Sequence, residues 1–336
     1  MRPDILILGQ GLAGTLLAWE LEQAGIAFEL LDPGHAAAAS SAAAGIVNPV
    51  TGRRLVKSWR IETLGPAARA TYRALEEALG LPLWRDLRVW RRFADESERT
   101  TWSRRMARGD LGPYAGAATP DGFWIESAAR VDFGALLAGA RRRWRAAGRL
   151  REAAQLPSDL ARTCERHALV IDCTGQAAAE GGAFGFVPWE FSQGEVLEVA
   201  VDGLDPGVVL NRRQWVVPVG PGTAWVGATH VPGGRTAQPT AAARAVLADA
   251  ARDLLGARTP FVITGQRAGV RVNVPDRRPV AGRHPERPRL GLINGLGGKG
   301  ALWAPLLARQ WVRHLAAGEA FDPEIAVSRF AAAACR

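Results

Sequence analysis

The sequence predicts an α/β fold. A mostly parallel sheet domain is assembled from separated stretches of chain, and a second, α+β domain built on a mostly antiparallel sheet is inserted between them. Three observations lead there. Residues 4–32, DILILGQGLAGTLLAWELEQAGIAFELLD, run from an apolar strand through Gly9-x-Gly11-x-x-Gly14 into a helix, then into a second apolar strand ending at Asp32. In HALVIDCTG, residues 167–175, another apolar strand ends at Thr174-Gly175. A strand at 290–294 leads through GLGGKG, residues 295–300, into a helix over 301–316. Units of strand, tight turn and helix are what parallel sheets are made from.

The first unit carries chemistry. Gly9 permits the tight turn out of the strand, Gly11 lets backbone approach a pyrophosphate, and Gly14 lets the helix, beginning at Leu12 and Ala13, pack close to the sheet. The helix start offers N–H groups and a positive dipole end to phosphates. Asp32 stands where a carboxylate accepts ribose hydroxyls. Together these make a Rossmann-like dinucleotide cradle.

The segment HAAAASSAAAG, residues 35–45, turns the chain into GIVNPVTGRRLVKSW. Spacing predicts an amphipathic helix from about Lys57 to Leu79, with Leu64, Ala68, Tyr72 and Leu75 near one face. WRDLRVWRRF, residues 84–93, alternates as a strand, with Trp84, Asp86, Arg88, Trp90 and Arg92 on one side. Helices are predicted over 96–108 and 131–147, the second presenting Arg141, Arg142, Arg143 and Arg145 as a solvated face. Residues 194–201 and 215–229 read as strands, the latter a hairpin through Gly220-Pro221-Gly222, followed by a helix over 239–255. The expected division is residues 1–82, 130–190 and 262–336 for the dinucleotide-binding domain, and 83–129 with 191–261 for the substrate domain.

The chain has 336 residues, 48% of them hydrophobic, which suits about two globular domains. Its apolar runs fall short of the roughly 18 residues that span a bilayer, and the cradle starts almost at Met1, so a cytoplasmic protein without a membrane span is expected. Cys164, Cys173 and Cys335 are too scattered for a disulfide framework or a metal site. The net charge is +9, yet only Lys57 and Lys299 of the 42 basic residues are lysines. Such a bias is explained by coding composition as readily as by a polyanionic partner.

Several further segments, in order, carry a resemblance. These are Ser40-Ser41-Ala42-Ala43-Ala44-Gly45, the strand ending at Thr174-Gly175, Gly194-Glu195-Val196-Leu197, Val226-Gly227-Ala228-Thr229, Ala268-Gly269-Val270-Arg271, and the loop containing Gly297, Gly298, Lys299 and Gly300. With the opening cradle, they resemble the D-amino-acid oxidase family of flavin enzymes, which includes glycine oxidase, sarcosine oxidase and D-amino-acid dehydrogenase. The resemblance implies a Rossmann-like FAD-binding domain. It places Gly9, Gly11, Leu12, Ala13, Gly14, Asp32, Ser40, Ser41, Gly45, Thr174, Gly175, Gly297, Gly298, Lys299 and Gly300 beside noncovalently held FAD. It also implies hydride transfer from an amine-bearing carbon to the flavin, after which the imine hydrolyses. That reaction needs no side-chain nucleophile.

Arg271 is the candidate for binding a substrate carboxylate, because a planar guanidinium makes a directional, bidentate clamp. Lys299 is a candidate for stabilising negative charge on the reduced cofactor, against a solvated loop lysine. Lys57 reads as solvated or in a salt bridge at a helix start. Trp215, where the family often has Tyr, His230 and Asn48 are candidate substrate contacts. The expected substrate is a small amino acid or N-substituted glycine. The family also contains the oxidase domain of a bifunctional tRNA wobble-uridine enzyme, which removes the glycine part of a carboxymethylaminomethyl group. That makes tRNA an alternative partner, and the interleaved Arg and Trp of residues 84–93 an alternative nucleic-acid surface. A non-enzymatic flavin-binding protein is a third reading.

Overall fold

The computed structural model describes residues 4–34, 38–153, 155–157 and 159–333. Two large sheets organise them. The first runs in the order Val280–Arg283, Leu290–Asn294, Leu169–Asp172, Ile5–Leu8, Phe28–Asp32, Leu150–Glu152. Its strands are parallel except Val280–Arg283, which is antiparallel to its neighbour. Every residue of Ile5–Leu8, Leu169–Asp172 and Leu290–Asn294 is buried, which is why these strands read as continuous apolar runs rather than alternations. The helices Leu12–Gln23, Ile61–Leu79, Phe133–Ala146 and Gly300–Ala317 share one core with Ile5, Ile7, Leu30 and Ile171 of this sheet. Leu6, Leu8, Val170 and Leu292 face a second core on the other side.

The second sheet is long and mostly antiparallel. Glu190–Ala200, Thr223–Gly227, Trp215–Gly220, Val208–Asn211, Trp84–Arg92, Gly122–Val131 and Ile46–Val47 follow one another across it. Only the pairing of Val208–Asn211 with Trp84–Arg92 is parallel within this run. Helix Ala241–Leu255 covers Leu197, Val199, Val216 and Val226 on one face. The hairpin expected at Gly220-Pro221-Gly222 is present between Trp215–Gly220 and Thr223–Gly227.

Sheet membership cuts the chain differently from the expected domain limits. Val262–Asn273, grouped by sequence with the cradle, pairs along its length with Glu190–Ala200 in the second sheet. Gly122–Val131 runs past the expected limit at residue 129, because Arg130 and Val131 continue its ladder with Arg85 and Trp84. Ile46–Val47 also joins this strand.

Three local expectations are corrected. The helix expected from Lys57 begins at Ile61, because Val56–Lys57 is a short strand paired with Val50–Thr51. Trp84–Arg92 alternates from Asp86 on, with Leu87, Val89 and Arg91 buried between Asp86, Arg88, Trp90 and Arg92, but Trp84 is buried against Tyr72 rather than sharing their exposure. Its other aromatic and basic groups are also partnered: Trp90 packs on Trp124, and Arg88 lies over Trp124 while pairing with Glu126. The arginines of Phe133–Ala146 are not a uniformly wet face. Arg143 pairs with Glu22, Arg145 with Glu152, and Arg141 is drawn inward to Asp32.

Candidate active site

A cleft of about 540 Å³ runs along the ends of the parallel strands and beneath the second sheet. Its floor is the predicted cradle. Gly9 takes φ +89°, open to glycine without strain, and its N–H donates to Leu31 O at 2.9 Å. At Gly14 a Cβ would stand 1.9 Å from Gly9 O, so only glycine lets the helix sit this close. At Gly11 the nearest atom to a Cβ would be Ser40 Oγ at 3.5 Å, which leaves the backbone accessible. Ser40 has a direct part, since its hydroxyl accepts from Leu12 N–H at 3.1 Å and fixes the 39–42 turn against the helix start.

Asp32 is held from three sides. Gln10 N–H donates to Oδ1 and Gly34 N–H to Oδ2, each at 2.8 Å, and Arg141 Nη1 donates to Oδ2 at 2.7 Å. Arg141 also reaches Gln10 Oε1 at 2.9 Å and Glu152. Sequence reasoning missed this role because i, i+3 and i, i+4 periodicity says which face a residue lies on, not which distant carboxylate that face meets.

The centre of the cleft is built from strand ends. Thr174 N–H and Oγ1 both donate to Asp172 Oδ1, at 3.0 and 2.6 Å. Burial pushes the Asp172 carboxyl above the usual range, and the Thr174 bonds pull it back. Asn294 Nδ2 donates to Gly175 O at 2.8 Å, tying together the ends of two parallel strands. Cys173 lines the same wall, and burial raises its thiol well above the ordinary range. Gly297, Gly298 and Gly300 line the far wall and Gly45 the near one.

Arg271 and Trp215 enter from the second sheet. Arg271 Nη1 donates to Thr229 O at 3.3 Å, and no acidic side chain pairs with this guanidinium among the described residues. Burial pushes it below the usual arginine range. A partly desolvated cation with most of its five donors unused favours an anionic ligand. The Trp215 ring lies over Gly227, where a Cβ would fall 2.6 Å from it.

The remaining candidates lie outside the cleft wall. Lys299 Nζ turns to Thr51 Oγ1 at 2.9 Å and Ser58 Oγ at 2.6 Å, and burial, then the charge of Arg278, lowers it to about 8. Asn48 Oδ1 accepts from Val50 N–H at 3.1 Å, and its carbonyl accepts from Ser58 Oγ at 2.7 Å, so it braces the same turn. His230 is exposed; partial burial, then Arg271 and Arg277, lower its pKa. Ser41 and Gly14 are likewise absent from the wall. Lys57 pairs with Glu62 at the start of helix Ile61–Leu79. Cys335 lies outside the described residues.

The donor set fits FAD. It offers a glycine turn with open backbone at Gly11, an anchored carboxylate at Asp32, and a cleft continuing past Thr174 to the 297–300 loop. Comparison with known proteins agrees. The chain is 32% identical over 343 aligned positions to the tRNA 5-methylaminomethyl-2-thiouridine biosynthesis bifunctional protein MnmC of Maricaulis maris. That alignment covers 94% of this chain and 52% of the relative, so the chain spans about half the length of that protein. In fold it is similar to glycine oxidase from Geobacillus kaustophilus, with TM-score 0.77, 22% identity, and coverage of 96% of this chain and 97% of the other. It is similar too to iminodiacetate oxidase from Chelativorans, with TM-score 0.74, 21% identity, and coverage of 95% and 97%. No described helix is long and apolar enough to cross a membrane. The family model described as FAD dependent oxidoreductase (DAO) matches residues 4–313, and the chain belongs to that family of FAD-dependent oxidoreductases.

Proposed function

We propose that this enzyme oxidises the C–N bond of an amino acid or N-substituted glycine whose carboxylate is bound by Arg271. The observation that carries this reading is a half-buried guanidinium, unpaired with any acid among the described residues, lining the same cleft as the dinucleotide cradle. FAD bound in the cradle supplies the two-electron acceptor for hydride leaving the substrate carbon. Arg271 orients the substrate by its carboxylate, and Trp215 forms an apolar wall that limits water. The resulting imine hydrolyses to an amine and a carbonyl compound. Noncovalent FAD is supported by the state of Cys173, whose raised pKa makes it a poor thiolate nucleophile. We place the reaction in the cytoplasm, where the thiols of Cys164 and Cys173 stay reduced.

A second reading has its own observation. Identity to the bifunctional tRNA-modifying protein extends over 94% of this chain, and the net charge is +9. A carboxymethylaminomethyl group on uridine presents the same secondary amine and carboxylate to Arg271. FAD-loaded protein mixed anaerobically with D-amino acids, glycine, N-methylglycine and modified tRNA tests both readings. Bleaching by a free amino acid or N-substituted glycine supports the first. Bleaching by tRNA alone, with binding that weakens steeply as salt rises, supports the second. If no carboxylate-bearing amine reduces the flavin, both fail.

A further inference from the structure

Gly194 and Gly269 stand directly opposite each other where Glu190–Ala200 pairs with Val262–Asn273. Opposed residues of an antiparallel pair share a face of the sheet, so two glycines leave a trough there. Both ends of the trough are filled. Over Gly194, a Cβ would be 2.2 Å from both terminal nitrogens of Arg271 and 2.4 Å from its central carbon. Over Gly269, a Cβ would meet Ala39 Cα and Ala42 Cβ, each at 3.2 Å. Residues 39–42 form the turn that carries Ser40, so the trough places the guanidinium and the cradle turn on one floor.

The register shows how the guanidinium reaches this place. Arg271 itself pairs with Ser192, two residues from Gly194, and its side chain leans along the strand to lie over the glycine. An alanine at 194 would have to push the fork away by more than 1 Å to restore ordinary contact.

We propose that Gly194 is a specificity-determining positioning residue, which seats the Arg271 fork against the strand at the level of the Ser40 turn and so fixes where a substrate carboxylate sits. This rests on the reading of Arg271 as the carboxylate clamp. Displacing the fork by more than 1 Å forfeits a hydrogen bond between charged groups, so Gly194→Ala is expected to lose ~10- to 100-fold in carboxylate affinity.

The test uses FAD-loaded protein and acetate as the probe, with Kd read from the perturbation of flavin absorbance. Four proteins are compared: the parent, Gly194→Ala, Arg271→Ala and the double variant. Gly194→Ala should weaken acetate binding while FAD affinity stays the same. In the Arg271→Ala background it should change acetate binding by less than about twofold, because the clashing group is gone. Equal weakening in both backgrounds, or none in either, overturns the proposal. Arg271→Ala binding acetate as tightly as the parent overturns the clamp itself, a different and recognisable failure. If Gly194→Ala alone fails to load FAD, the double variant should regain loading. A double variant that also fails overturns the proposal.

Discussion

Replacing Arg141 with Met removes the cation behind Asp32 while keeping an unbranched side chain on the helix. The ion pair is buried, with Arg141 15% and Asp32 4% exposed, and its N–O distance is 2.7 Å. Breaking such a pair by removing one partner ordinarily costs about 3–5 kcal/mol. Two features reduce the cost here. Asp32 keeps the Gln10 and Gly34 N–H donors at 2.8 Å, and Glu152, the other partner, is 49% exposed and can be solvated. About 2 kcal/mol remains, the scale of a hydrogen bond to a charged group, or about thirtyfold in an equilibrium constant. If Asp32 holds the adenosine ribose, the loss appears in FAD binding and not in FMN binding, because FMN lacks adenosine. Titration of apoprotein with each flavin, read by quenching of flavin fluorescence, separates the two. The FAD Kd should rise by at least about tenfold and the FMN Kd should hold. An equal rise for both flavins, or no rise for FAD, refutes the assignment of Asp32 and Arg141 to the adenosine end.

Other predictions follow from the same geometry. Gly14→Ala should destabilise the fold by about 1–3 kcal/mol or more in urea unfolding, because its Cβ meets backbone at 1.9 Å. Gly11→Ala should cost less than about 1 kcal/mol of stability yet weaken FAD, since the new methyl occupies only the approach to the cradle. The reverse ranking would contradict the roles given to the two glycines. Lys299 is held at about 8 against 10.5. Between those values the unfolded chain binds more protons than the folded one, so stability should rise with pH across that window by about 3 kcal/mol. Lys299→Met should abolish this rise, and a variant-minus-parent difference that is flat between about pH 8 and 10.5 would refute it.

Much of the cradle was legible because its parts are local. Strand, glycine turn, helix and terminal Asp32 occupy one run of chain, and each glycine has a backbone reason readable from spacing. Thr174-Gly175 and Gly297–Gly300 were legible in the same way. What sequence could not give was the direction of long side chains across distant strands. Lys299 sits beside two cleft glycines, yet its amine turns to Thr51 and Ser58. Arg141 looked like one of a solvated row, and only the approach of Glu152 and Asp32 in the sheet shows its partner. Gly194 was visible only as part of a strand, since its meaning depends on the register with Val262–Asn273.

The central claim is that a cleft built for FAD holds an amine by its carboxylate on Arg271. Anaerobic reduction of the bound flavin, followed at its visible absorbance band, tests it with the most active N-substituted glycine and the primary amide of the same compound. The two are nearly the same shape, and only the acid carries the charge that the guanidinium needs. The amide should reduce the flavin at least about 100-fold less efficiently, and Arg271→Met should erase most of that difference. Comparable rates for acid and amide in the parent enzyme would contradict the account.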